Sequence, residues 1–472
     1  MMRVMHRACF VAIAAMSVVA HPAALAQTLP ALDTARVLAA LANEVRETHA
    51  PGASIAIVIG DRIVFAAAIG TTSVETGQPM SPQTLVRIGS VTKSFTGITA
   101  ALMAHAGDVD LDAPVSRYAR GLHPSIGDRS LNSLLGHAAG LTNEAATDGL
   151  HDDAALGARV RGWKSEHVFA PVGDVYSYSS PGYWLAGYAL ELAGKRPYAD
   201  LVRERLLAPL GMTRSTFRPT MAMTYPLALD HRVTGDSARV LRPFQDDVTT
   251  WPSGSLFSSA VEMARLAIAL MNDGRIDGKQ VLPSAVVSRV LARVAPLPGN
   301  DCSYSFGLST CTRGDATTVG HYGFRVGSGA VFTMIPAKRI AVVVLSNRNG
   351  GIMRKTEQAV LDMLAPVAAP SSAAATIAKK PVSRAMRDAV AGVYVSGADT
   401  IRLTVQADSL VYQYGRETQR AMLADSVTVQ VFDAGGAVAQ EFAIVRGAKS
   451  GSVYLHDGLS AYGRVKQRAR KQ

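Results

Sequence analysis

The stretch "RIGSVTKSFTG", residues 87–97, places a serine directly after an Ile-Gly turn and a lysine three residues later. If a helix starts at Ser90, then Ser90 and Lys93 stand one turn apart on the same face, with Cβ atoms roughly 5–6 Å apart. That is hydrogen-bonding reach, and it puts an amine base beside a hydroxyl nucleophile. The flanking segments agree: "TLVRIG" reads as a strand and "VTKSFTGITAALMAHAG" as a helix, so Ser90 falls at a helix N-terminus. There the helix dipole disfavours a protonated Lys93, and burial would lower its pKa further, leaving a neutral amine able to take the serine proton. A bare Ser-x-x-Lys is otherwise just an N-cap serine and a surface lysine.

Two later segments remove the independence of that motif. "PVGDVYSYSSPGYWLAG" (171–187) puts Tyr178 and Ser180 on a Gly/Pro/Ser-rich loop ahead of an apolar helical run. "TVGHYGFRVGSGAVFTMI" (318–335) puts His321 and Gly323 at the start of a strand candidate. S-x-x-K, then Y-x-S, then H-x-G, in that order and at those separations, resembles the serine β-lactamase and penicillin-binding-protein superfamily. The nearest likeness is to the class C branch, with its D-alanyl-D-alanine carboxypeptidases, D-aminopeptidases and family VIII carboxylesterases. Further matching stretches are "GDVDLDAPVSRYA", "LNSLLGHAAGL", "LLAPLGMTRSTF", "PSGSLFSSAVEMARLAIALM" and "VVVLSNRNG".

The resemblance implies an α/β (α+β) architecture, a central antiparallel sheet flanked by helices. It implies Ser90 as the acylated nucleophile, Lys93 as its base and Tyr178 as the phenol that relays protons to the leaving group. The backbone N–H groups of Ser90 and Phe324 would form the oxyanion hole, with Ser180, His321, Tyr322 and Gly323 lining the substrate site. His321 stands where the family often has lysine and could donate a hydrogen bond near Tyr178. Ser180 replaces the more usual asparagine and lacks an amide's paired donor and acceptor. Tyr322 replaces a small hydroxyl residue expected near a substrate carboxylate. The resemblance thus implies a serine hydrolase acting on an ester or amide, of esterase or D-amino-acid-peptidase type. A class C-like β-lactamase is the alternative within enzymes, and a penicillin-binding receptor with a slow or inert acyl-enzyme the alternative outside them. His137, Tyr183 and Trp251 are read as structural. The G-x-S-x-G elbow of α/β-hydrolases does not occur.

The first 26 residues stand apart: Arg3, His6 and Arg7 precede the apolar run "ACFVAIAAMSVVA" and an Ala-Leu-Ala at 24–26, the pattern of a secretory signal peptide cleaved before Gln27. A periplasmic or secreted protein is expected, with no later stretch suited to a membrane span. Loss of Arg3 and Arg7 takes the formal charge from +11 to +9. Part of that excess is a basic tail, 465–472, read as a solvated end. Export and the lack of any helix-turn-helix, zinc spacing or RNA-binding aromatic signature argue against nucleic acid. No H-x-x-x-H pair or cysteine-ligand spacing occurs, so neither metal nor cofactor is expected.

Composition divides the remainder into a β-lactamase-like domain over 27–366, an Ala/Pro/Ser-rich linker over 367–384 and a C-terminal all-β domain over 385–464. Short alternating runs such as "GVYVSG", "IRLTVQ" and "VTVQVF" mark the last as a small barrel or sandwich. It holds no catalytic cluster, so truncation near residue 370 is expected to leave Ser90 reactive. Cys302 and Cys311 bound "CSYSFGLSTC", which reads as one strand; an extended run of that length would hold the sulfurs too far apart to bridge, yet an oxidising compartment favours pairing, and the question stays open.

Overall fold

A tight hairpin begins the main sheet. Strands β1 (Gly52–Ile59) and β2 (Arg62–Gly70) meet across Gly60-Asp61, as their β-rich sequences and the intervening glycine predict. The structure, a computed structural model, describes residues 32–144, 149–294, 296–367 and 382–465. The signal-peptide candidate, most of the linker and the end of the basic tail lie outside the described residues.

Five more strands complete the sheet: β3 (Cys302–Ser305), β4 (Leu308–Arg313), β5 (Ala316–Arg325), β6 (Ser328–Ile335) and β7 (Ile340–Ser346). The order is β2-β1-β7-β6-β5-β4-β3, antiparallel throughout, so the hairpins at either end of the domain sequence are joined through β1 and β7, with Ile55 opposite Val344. Strands β6 and β7 are buried along their whole length, and β1 nearly so, which is why "GAVFTMI" and "IAVVVLS" read as continuous apolar runs rather than alternating ones.

Helices α1 (Thr34–Thr48), α2 (Thr92–His105), α3 (Ser180–Gly194), α4 (Ala260–Met271) and α5 (Arg354–Leu364) cover the two faces. On one face α1 and α5 bury Val37, Leu41, Val360 and Leu361 against Ile55, Val342 and Val344. Buried Glu44 ties the two helices together by accepting from the Lys355 and Thr356 amides and the Thr356 hydroxyl. On the other face Phe95, Ile98, Trp184 and Leu266 pack towards Phe332 and Val343.

One expectation is corrected. "CSYSFGLSTC" is not one strand but the β3–β4 hairpin, because Phe306 and Gly307 both adopt positive φ, 50° and 78°, and reverse the chain in two residues. Cys302 then lies opposite Cys311 with Cα atoms 4.1 Å apart, and the two are bridged. The turn sits on α2: a Cβ on Gly97 would lie 2.0 Å from the Phe306 carbonyl oxygen. With the loop so short, replacing both cysteines by serine is expected to lower unfolding free energy by about 2–3 kcal/mol, measured by urea titration. An unchanged midpoint would show that the hairpin holds without its staple.

Downstream, helix α6 (Arg384–Val390) leads into eight antiparallel strands, β8 (Gly392–Ser396), β9 (Asp399–Gln406), β10 (Ser409–Tyr414), β11 (Glu417–Leu423), β12 (Thr428–Phe432), β13 (Val438–Arg446), β14 (Val453–His456) and β15 (Ala461–Arg464). Pairing of Tyr394 with Arg464 closes them into a barrel filled by Tyr394, Leu403, Leu410, Val429, Val431 and Phe442. The sequence pattern misses β11 and β15. "ETQRAML" buries only Ala421 and Leu423, and "AYGR" only Ala461, so neither shows a sustained alternation. Among the described residues no helix is long and apolar enough to cross a membrane.

Candidate active site

Ser90 lies in a single 3-10 turn, Gly89–Val91, that feeds directly into α2, and Lys93 is the second residue of that helix. Lys93 is wholly buried, with its Nζ 3.3 Å from Ser90 Oγ, 3.3 Å from Ser180 Oγ and 2.9 Å from the carbonyl oxygen of Ser253. Burial pulls its pKa from 10.5 down to about 7. A neutral amine has two N–H groups and one lone pair. Donating to Ser253 and Ser180 leaves the lone pair for the Ser90 proton.

Tyr178 completes the group. Its hydroxyl is hydrogen-bonded with Ser90, and its ring centroid lies 4.7 Å from Lys93 Nζ. Burial raises the phenol pKa, the bond with Ser90 offsetting only part of that, so the phenol stays protonated. Ser180 starts α3 with its amide donating to Asn143 Oδ1. Although it lacks an amide side chain, its hydroxyl reaches the lysine at 3.3 Å.

His321 is placed differently from expectation. It lies mid-strand in β5, and its Nε2 is 3.0 Å from the Tyr304 hydroxyl rather than on Tyr178, whose ring centroid is 6.3 Å away. Nδ1 donates to the Tyr322 carbonyl, so Nε2 is the acceptor for Tyr304. Burial first, then neighbouring Lys93, hold its pKa at about 3, so it is neutral. Tyr304 carried no motif and was not foreseen; it is brought in by the disulfide hairpin. His137 has φ 55° and is buried, its ring 4.3 Å from that of Tyr178. Its carbonyl accepts from the Ser177 amide and its Nδ1 from the Ser179 amide, which grips the residues on either side of Tyr178.

Strand β5 and the Ser90 turn are in backbone contact. Gly89 has φ 52° and a Cβ there would lie 2.5 Å from the Phe324 nitrogen; a Cβ on Gly323 would lie 1.9 Å from the Ile88 carbonyl oxygen. Only glycine fits either position, and their absence of side chains brings the Phe324 main chain alongside Ser90. The Phe324 side chain is exposed. Tyr322 borders the substrate cavity, and its hydroxyl donates to Glu357 of α5, 2.9 Å from Oε2. Burial and Glu357 together push it to about 12.

The residues border a cavity of about 1010 Å³ that runs from Ser90 and Trp184 past His321 to Glu357. The barrel forms part of its rim through Gly458 and Leu459. That contact is specific: the Tyr178 amide donates to the Leu459 carbonyl at 2.9 Å, and the Ala461 amide to Ser177 Oγ at 3.1 Å. The barrel therefore touches the tyrosine loop directly.

A seven-stranded antiparallel sheet between helices, with a Ser-x-x-Lys turn facing a glycine-containing strand, is a β-lactamase/transpeptidase-like fold. The chain belongs to the Beta-lactamase family, whose model matches residues 35–366. It is similar to penicillin-binding protein 4 of Amycolatopsis lactamdurans, 26% identical over 322 residues, 65% of this chain and 82% of that one. Against protein flp of Staphylococcus aureus (strain N315) it is 22% identical over 66% of its length, and spans 63% of that relative, less than two thirds. Among solved structures SurE superimposes with a TM-score of 0.75 at 24% identity, covering 92% of this chain and 99% of that one, so the likeness in fold extends over the barrel.

Proposed function

We propose that this protein is an exported serine hydrolase that cleaves an ester or amide through an acyl-enzyme on Ser90. The observation that carries the proposal is the buried Lys93 amine, near neutral in pKa and 3.3 Å from Ser90 Oγ. Ser90 Oγ adds to the substrate carbonyl carbon as its proton passes to Lys93, and the backbone amides of Ser90 and Phe324 hold the developing oxyanion. When the tetrahedral intermediate collapses, the bond to the leaving group breaks and that group takes a proton through Tyr178. Water then adds to the acyl carbon, releasing the acid and restoring the Ser90 hydroxyl. The Cys302–Cys311 bridge supports an oxidising compartment, in keeping with the signal-peptide pattern.

For the substrate, the informative residue is Tyr322. With its hydroxyl held by Glu357, it offers no small hydroxyl to a β-lactam carboxylate. A lost hydrogen bond to a charged group costs about 1.5–3 kcal/mol, roughly ten- to a hundredfold in rate when the bond is made in the transition state. We therefore expect kcat/KM for p-nitrophenyl butyrate to exceed that for nitrocefin, with Tyr322→Thr narrowing the gap. A D-alanyl peptide assayed beside them separates peptidase from esterase. Efficient cephalosporin turnover by the unaltered protein would replace the ester reading with that of a β-lactamase. Stoichiometric labelling of Ser90 without turnover would make the protein a receptor.

A further inference from the structure

Tyr178 sits in a segment gripped from two sides. On the core side His137 accepts from the amides of Ser177 and Ser179. Between them the Tyr178 amide points the other way, to Leu459 in the β14–β15 turn. That turn is itself braced: Asp457 accepts from the Leu459 and Ser460 amides, and His456 Nδ1 from the Gly458 amide. Nε2 of the same histidine donates to the Tyr176 carbonyl.

Four residues before Tyr178, Asp174 joins the two domains by its side chain. It is 3% exposed, and its carboxylate accepts from the Lys449 amide (2.8 Å), the Ser450 amide (2.7 Å), the Ser450 hydroxyl (2.6 Å) and the Tyr454 hydroxyl (2.6 Å), all in the barrel. Burial raises its pKa, but the Ser450 and Tyr454 donors and the two amides outweigh that and hold it at about 2. Its charge has been satisfied by neutral donors converging from the β13–β14 loop and from β14, which is a demanding arrangement. The fit is close: a Cβ on Gly447 would lie 2.2 Å from Asp174 Oδ2. Around it Ala170 and Val175 pack against Tyr454 and Ala461.

We propose that Asp174 is a positioning residue, a latch that docks the barrel so that the Leu459 carbonyl fixes Tyr178 against Ser90 and Lys93. The barrel is thereby a working part of the active site rather than an appendage. The inference rests on the hydrolase reading for the consequence it assigns to Tyr178, and on the interdomain hydrogen bonds alone for the latch. With the latch open, Tyr178 no longer shields Lys93, which faces the rings of Tyr178 and Tyr183 and lies near neutral His137 and His321. Water then reaches the amine, its pKa rises, and the acid limb of the rate profile moves to higher pH.

The test uses the full chain with two variants that break the latch from opposite sides, Asp174→Ala in the core and Gly447→Ala in the barrel. Each is read by amide hydrogen exchange at residues 177–179 and by the pH-dependent rate of Ser90 labelling with a fluorophosphonate. We expect exchange there to quicken at least about tenfold, labelling to slow about ten- to a hundredfold, and the acid limb to shift upwards. Asp174→Asn, which keeps one acceptor oxygen, should recover part of each change. If either alanine variant fails to fold, Tyr454→Phe removes one donor while keeping the ring and should move the same readouts in the same direction. Unchanged exchange at 177–179 overturns the latch, as does faster exchange with an unchanged labelling rate and limb. Labelling of the unaltered protein at a residue other than Ser90 overturns the hydrolase reading instead, and the exchange data then still decide whether the latch exists.

Discussion

Lys93→Met is expected to slow Ser90 acylation by about a thousandfold or more and at the same time to raise the melting temperature. The two effects have one cause. In the folded protein the amine is neutral above about 7, whereas a free lysine titrates at 10.5. Between those values the folded state binds fewer protons than the unfolded one, so stability rises with pH across that window. Below about pH 7 the penalty for burying lysine is at its full size. Methionine fills similar space without that penalty, and the gain is reduced by the Ser253 carbonyl and the Ser180 and Ser90 hydroxyls, which lose their partner. Thermal melts at pH 6 and pH 10 are the check: the stabilisation should be greater at pH 6. Equal melting temperatures for variant and parent at pH 6 would show that Lys93 is charged and well solvated in the folded protein.

Ser90→Ala is expected to abolish turnover, a loss of about ten-thousandfold or more, while leaving the fold intact, since the side chain is partly exposed and its removal opens no deep cavity. Intact-mass measurement with a fluorophosphonate or penicillin should give a single adduct on the unaltered chain and none on the variant. An adduct persisting on the variant would place the nucleophile elsewhere.

Those two residues were the most legible in the sequence because their relation is local: three positions on one helix turn fix the distance. The sheet was legible for a similar reason. Its hairpins are written as paired apolar runs, and burial on both faces of β6 and β7 leaves an uninterrupted hydrophobic signature. What lay beyond reading depends on contacts between distant segments. Tyr304 reaches His321 only because a Phe306–Gly307 turn reverses a stretch that otherwise looks like continuous strand, and an aromatic residue at positive φ gives little warning of it. Tyr322 borders the cavity, but the partner that holds its hydroxyl, Glu357, lies 35 residues on and gives no local sign of that pairing. Leu459 contributes a carbonyl, which every residue has, so its side chain could not announce it.

The docking of the β14–β15 turn on Tyr178 also sets an order of events in time. During synthesis the N-terminal part of a chain emerges and begins to fold first. Ser90 and Lys93 are made some 369 residues ahead of Leu459, and β15, which closes the barrel, ends at Arg464. A nascent chain therefore carries Ser90 and Lys93 long before the Tyr178 amide can find its acceptor. On the proposed reading the site is completed only once residues 459–464 have been made, and a chain truncated before them lacks the acceptor of the Tyr178 amide.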